Sequence, residues 1–103
     1  MTLFAPRIQT FCPRCQSIVR VPESLPLDVL SEALALRQAG NTLQAVSAIA
    51  RSGCADLQEA KHFVLHLPER PGHCARCDKP LPTGAVECPV CHSVTLHFDH
   101  STA

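Results

Sequence analysis

The stretch CARCDKPLPTGAVECPVC, residues 74–91, places two C-x2-C pairs on either side of ten intervening residues, Cys74/Cys77 and Cys88/Cys91. Two thiolates held by one tight turn form half of a tetrahedral zinc site, and a second such pair completes it. The connection carries Asp78, Pro80, Pro82, Thr83 and Gly84, residues that suit a turn, so the two knuckles are expected to face each other across a short β-hairpin. A third pair, Cys12/Cys15, lies near the start of the chain in FCPRCQSIVRVP, residues 11–22, ahead of a strand-like run from Ser17 to Val21.

Reading outward from the cysteines, residues 24–69 differ in character. Leu27, Leu30 and Leu34, then Leu43, Val46 and Ile49, then Leu57, Ala60, Val64 and Leu67 recur at helical spacing. Gly40 and Gly53 stand where helices should stop, and Pro68 blocks continuation. Asn41 with Gln44 and Asp56 with Glu59 have the form of capping pairs. The pattern predicts three short helices between residues 27 and 67, with a core of Leu30, Leu34, Leu43, Val46, Ile49, Leu57, Ala60 and Val64. Helices this short are marginal alone and must pack together. The expected organisation is an N-terminal zinc-knuckle half (1–23), a three-helix module (24–69), a second metal unit (70–98) and a disordered tail (99–103). The fold class is therefore small α+β: metal-stabilised β-hairpins with an inserted three-helix module.

A chain of 103 residues buries little surface and often needs a metal or disulfides as a staple. Seven cysteines, an odd count, at C-x2-C spacing and without a basic start followed by an apolar run, favour reduced metal ligands in a cytoplasmic protein over disulfides. No apolar stretch approaches the roughly 20 residues that span a bilayer, so no membrane association is expected. The nine basic and nine acidic side chains cancel formally. Six zinc-bound thiolates on two Zn2+ ions would leave about two net negative charges. Arg7, Arg14, Arg20, Arg70, Arg76 and Lys79 are thinly spread, which argues against nucleic acid as a partner and leaves protein as the expected one.

The ligand set admits two divisions. In one, Cys74, Cys77, Cys88 and Cys91 share a zinc, and Cys12/Cys15 are completed by histidines or by a second subunit. In the other, Cys12/Cys15 join Cys74/Cys77 across the helices while Cys88/Cys91 recruit His97 and His100, as CPVCHSVTLHFDH allows. Loop-closure entropy favours the first, because its four ligands are local. His62 and His66 lie one turn apart on the third helix, a spacing that can chelate, but a solvated polar face is their expected role. His73 and His92 adjoin cysteines and are expected beside the ligands or exposed. Cys54 is expected as a small core residue. A thiol redox site would need a C-x2-C pair opening a helix, and a catalytic zinc would need an open position near a base. Neither pattern is present, so the chain reads as non-enzymatic.

The string CARCDKPLPTGAVECPVCHSVTL, residues 74–96, resembles a zinc ribbon. That family commonly carries glycine after the second cysteine of a knuckle. Here Asp78 and His92 occupy those places, which requires both to adopt the left-handed conformation. The run NTLQAVSAIARSGCADLQEAKHFV, residues 41–64, is similar without gaps to the helical signature in the C-terminal domain of the bacterial ribosomal stalk protein. The likeness rests on Asn41, Leu43, Val46, Ala48, Ile49, Leu57, Glu59, Ala60, Lys61 and Val64. It implies a helical hairpin of the kind also found in ubiquitin-associated folds. Through the family's recruitment of translational GTPases, it also implies a translation-associated alternative. The lysine-rich face of that family is reduced here to Lys61, with Thr42, Ser47 and Gln58 at the other positions.

Overall fold

The computed structural model describes residue 5 and residues 9–70, 72–82 and 85–96; His97, His100 and the expected disordered tail lie outside the described residues. Two strands and three helices follow in chain order: β1 (Gln9–Cys12), β2 (Ser17–Arg20), α1 (Leu27–Gln38), α2 (Thr42–Arg51) and α3 (Leu57–Val64). The protein is a small α+β fold.

The strands form one antiparallel hairpin with Gln9 opposite Arg20, Thr10 opposite Val19, Phe11 opposite Ile18 and Cys12 opposite Ser17. Alternation assigns the two faces. Cys12 and Val19 are buried on one, while Phe11 and Ile18 are more than half exposed on the other. The Cys12/Cys15 knuckle is the turn of this hairpin. The strand-like run expected from Ser17 is thus half of a complete hairpin whose other half, β1, ends at Cys12.

The stop of α1 and the start of α3 have identifiable local causes. Asp28 and Arg37 complement the α1 dipole at its two ends. After α1 the N–H of Gly40 bonds the Arg37 carbonyl and that of Asn41 the Leu36 carbonyl, with Gly40 at φ 83°. This pair of backward bonds is a Schellman stop. At the start of α3 the Asp56 carboxylate accepts the Glu59 N–H at 2.8 Å, as the capping pair predicts. Asn41 makes no such side-chain bond. Its backbone is already committed to closing α1, and its ψ of 59° departs from the extended conformation from which an N-cap side chain reaches the first turn.

One core runs through the molecule, with Leu25, Leu30, Leu34, Val46, Ile49, Ala60, Phe63, Val64 and Leu67 joined by Cys12 and Val19 from the hairpin and by Val94 and Leu96. Two of the expected core leucines are elsewhere: Leu43 is 84% and Leu57 66% exposed. The buried face of α2 is centred on Ala45, Val46 and Ile49, and at about 100° per residue Leu43 falls on its far side. Leu57 opens α3, and because helical side chains lean toward the N-terminus it projects past the end of the helix.

The segment 72–96 differs from expectation in its backbone. Among the described residues it has no strand, only isolated antiparallel bridges between His73 and Pro80 and between Glu87 and Val94. Pro80 and Pro82 lack the N–H groups that would extend the first bridge into a ladder. Arg37, 5% exposed, ties this segment to the helices. Its guanidinium donates to the carbonyls of Leu67 (3.0 Å) and Ala75 (3.2 Å), to Thr42 Oγ1 (2.8 Å) and to Glu69 Oε1 (3.1 Å). Among the described residues, no helix is long and apolar enough to cross a membrane.

Candidate metal centres

The three C-x2-C pairs build the same local turn. In each, the residue after the second cysteine returns its N–H to the carbonyl of the first: Gln16 to Cys12 (2.8 Å), Asp78 to Cys74 (3.1 Å) and His92 to Cys88 (2.9 Å). Those three residues have φ of 55°, 62° and 65°. The left-handed conformation required of Asp78 and His92 is therefore adopted, and Gln16 shares it. The turn leaves inner N–H groups pointing at sulfur, with Arg76 N 3.4 Å from Cys74 Sγ and Val90 N 3.4 Å from Cys88 Sγ. The Cys74 and Cys88 N–H groups reach across to the carbonyls of Lys79 and Ser93, each at 2.9 Å, which closes the knuckles from outside.

Two groups of potential ligands result, each with its donor atoms within 4.8 Å of one another: Cys74, Cys77, Cys88 and Cys91, and Cys12, Cys15 and His66. In the first, Cys74 Sγ is 3.5 Å from Cys91 Sγ and Cys77 Sγ is 3.6 Å from Cys88 Sγ. Four sulfurs around a tetrahedral zinc, at about 2.3 Å from the metal, would stand about 3.8 Å apart. The donor set fits a divalent, thiophilic ion. The division that sends Cys74/Cys77 to Cys12/Cys15 is not the one the structure adopts.

The thiols of this group are uneven. The Cys91 backbone N–H outweighs burial and, with that of Val90, holds the Cys88 thiol down to about 6. Burial, followed by the thiols of Cys74, Cys77 and Cys88, pushes Cys91 up to about 12. Burial raises Cys74, but the N–H groups of Cys77 and Arg76 bring it below its ordinary value. At Cys77 the Lys79 N–H lowers the thiol, while burial and the thiols of Cys88 and Cys74 leave it raised. The first cysteine of a knuckle gathers the N–H donors and the second meets the accumulated negative charge. A divalent cation lets all four ionise together.

The second group joins the hairpin to the end of α3. His66 N bonds the Phe63 carbonyl and Leu67 N the Val64 carbonyl, both at 3.0 Å, a tightened last turn that swings His66 inward. The solvated role expected for this histidine is incorrect: His66 is 3% exposed, beneath the knuckle. Its Nδ1–H donates to the His62 carbonyl at 2.7 Å, which leaves the Nε2 lone pair facing Cys15 Sγ at 3.4 Å. A backbone carbonyl that fixes the tautomer in this way is the usual support of a metal-binding imidazole. Burial holds the imidazole below its ordinary value, against the His62 carbonyl, so the neutral form is favoured. Burial also raises Cys12, but the N–H groups of Cys15 and Val94 bring it down. Burial and then Cys12 raise Cys15.

The two groups touch through residues 93–96. Val94 N lies 3.4 Å from Cys12 Sγ, Ser93 Oγ is 4.0 Å from the same sulfur, and Leu96 N donates to the His66 carbonyl at 2.8 Å. Arg14, within the first knuckle, reaches the Cys91 carbonyl at 3.4 Å. Of the remaining candidates, His92 is exposed beside Glu87, and Cys54 is half-buried with its thiol on the Ser24 carbonyl at 3.1 Å. The H-x3-H spacing of His62 and His66 marked them in the sequence as able to chelate, but their expected place was a solvated face and neither was assigned to Cys12 and Cys15. No protein-family model, curated protein or solved structure matches the chain.

Proposed function

We propose that this chain is a non-enzymatic protein-interaction module stiffened by two zinc ions, one held by Cys74, Cys77, Cys88 and Cys91 and the other by Cys12, Cys15 and His66. The observation that carries the reading is the closed, all-sulfur group supported by backbone N–H donors. Soft thiolates in a tetrahedral arrangement select zinc among common divalent ions, and four of them leave no position for a substrate. The knuckle turns are in keeping with the zinc-ribbon resemblance of residues 74–96. Two of the side chains that would have to neutralise phosphates have partners within the chain at its surface, Arg70 with Asp78 and Arg14 with the Cys91 carbonyl. Zinc–thiolate centres also add negative charge, so protein is the favoured partner and nucleic-acid binding should vanish at physiological salt.

Zinc content of the purified full chain tests this directly. Two ions per chain are expected, and one ion, unchanged in Cys12→Ser/Cys15→Ser, would refute the second centre. A second reading, contact with a translational GTPase, is favoured by one observation: the stalk-like segment folds as α2 and α3, with Lys61 exposed. Binding to a purified translational GTPase that Lys61→Glu abolishes, or RNA binding that survives physiological salt, would bring that reading to the front.

A further inference from the structure

The second centre has three donors where a tetrahedral zinc takes four. We propose that His62 supplies the fourth, its ring turning from Ser17 to the metal, so that the β1–β2 hairpin and α3 together form a closed Cys2His2 zinc centre. This rests on the zinc reading of Cys12, Cys15 and His66.

Four observations converge on His62. It stands four residues before His66, which follows the end of α3 in its tightened last turn. The two rings are 4.8 Å apart between centroids, inclined at 67°. Two imidazoles bound to one ion through nitrogens at 2.0–2.1 Å would have centroids about 5 Å apart, so the pair already has the spacing of co-ligands. His62 Nε2 is 3.2 Å from Ser17 Oγ, and Ser17 is the cross-strand partner of Cys12. That nitrogen is therefore already at the cysteine end of the hairpin, held by a single hydroxyl. Finally, the ring is only half-buried, and on one side it borders a groove of about 120 Å³ shared with Ile18, Arg20, Pro22 and Glu59 instead of packed core.

The combination is a C-x2-C hairpin facing an H-x3-H helix, a spacing known for closed zinc sites. Here α1 and α2 stand in the chain between the two halves. Ser93 also approaches the group, but it offers a hydroxyl 4.0 Å from Cys12 Sγ, a poor zinc ligand beside thiolate and imidazole. Leu96 N on the His66 carbonyl and the His66 Nδ1–H on the His62 carbonyl brace this end of α3, so a turn of the His62 ring need not move the helix.

Cobalt(II) titration of the metal-free full chain, followed by its ligand-field and thiolate charge-transfer bands, tests the proposal. Wild type should take up two ions in tetrahedral sites and be indifferent to added imidazole. His62→Asn should retain its far-UV circular dichroism but bind the second ion at least tenfold more weakly, and added imidazole should restore the tetrahedral bands. His62→Cys should bind the second ion tightly with additional charge-transfer intensity, which no structural role for His62 would produce. Two ions in His62→Asn with wild-type affinity and spectrum would overturn the proposal while leaving the zinc reading intact. So would imidazole entering the wild-type site. Uptake of a single ion by wild type, insensitive to Cys12→Ser/Cys15→Ser, would overturn both.

Discussion

The two cysteine groups use the chain in different ways. Cys74 and Cys91, the outer members of the first, are 17 positions apart, and the turns that orient their sulfurs are made by neighbouring residues. Cys15 and His66 are 51 positions apart and meet only because three helices pack behind a hairpin. The difference in loop-closure cost is only about 1 kcal/mol, too little to separate a local site from a distant one. What separates them is the support. The first group needs its own knuckles, whereas the second needs the core, the tightened end of α3 and the N–H of Val94. Its integrity therefore depends on the first group, which sets the path of residues 93–96.

The largest test of this asymmetry is Cys77→Ser. It should remove metal from the first group, unfold residues 72–96 and, through loss of the Val94 and Leu96 contacts, empty the second group as well. Structural zinc in small domains is associated with apparent binding free energies of about 10–16 kcal/mol, so the variant should lose its fold outright at that end. Cys15→Ser should leave the first group loaded. Zinc per chain together with amide chemical shifts distinguishes the two, and equal losses in both variants would show a single cooperative centre.

Next in size is the core that the second group leans on. Ile49→Ala should cost about 2–5 kcal/mol in denaturant unfolding, whereas Leu43→Ala on the opposite face should stay within about 0.5 kcal/mol. A reversed order would mean that α2 presents a different face to the core.

Arg37→Met sharpens the comparison at the seam. It leaves the buried carbonyls of Leu67 and Ala75 without their donor, with an expected loss of about 3 kcal/mol. Amide exchange should then rise first around Ala75, while the β1–β2 hairpin stays protected. Uniform acceleration throughout the chain would deny Arg37 a local role.

The smallest effects belong to the helix caps. Asp56→Ala should cost about 1 kcal/mol, because it deletes the acceptor of the Glu59 N–H at the start of α3, the helix that leads into His66. Asn41→Ala, whose side chain makes no capping bond, should fall within about 0.5 kcal/mol. Thermal or urea midpoints of the two variants resolve the difference.

By itself, the sequence determined what short-range stereochemistry controls. Cysteines two apart dictate a knuckle, a knuckle dictates a left-handed residue after its second cysteine, and two knuckles across a short turn bring four sulfurs together. Leucine and valine spacing with Gly40, Gly53, Asp56 and Pro68 likewise marked all three helices, because helix periodicity and termination are local. The tertiary structure decided which faces those helices bury, leaving Leu43 and Leu57 in solvent, and that Pro80 and Pro82 reduce the expected second hairpin to isolated bridges. It alone decided that His66 belongs to Cys12 and Cys15. A buried imidazole and a solvated one have the same helical spacing, and only the packing of α3 against the hairpin distinguishes them.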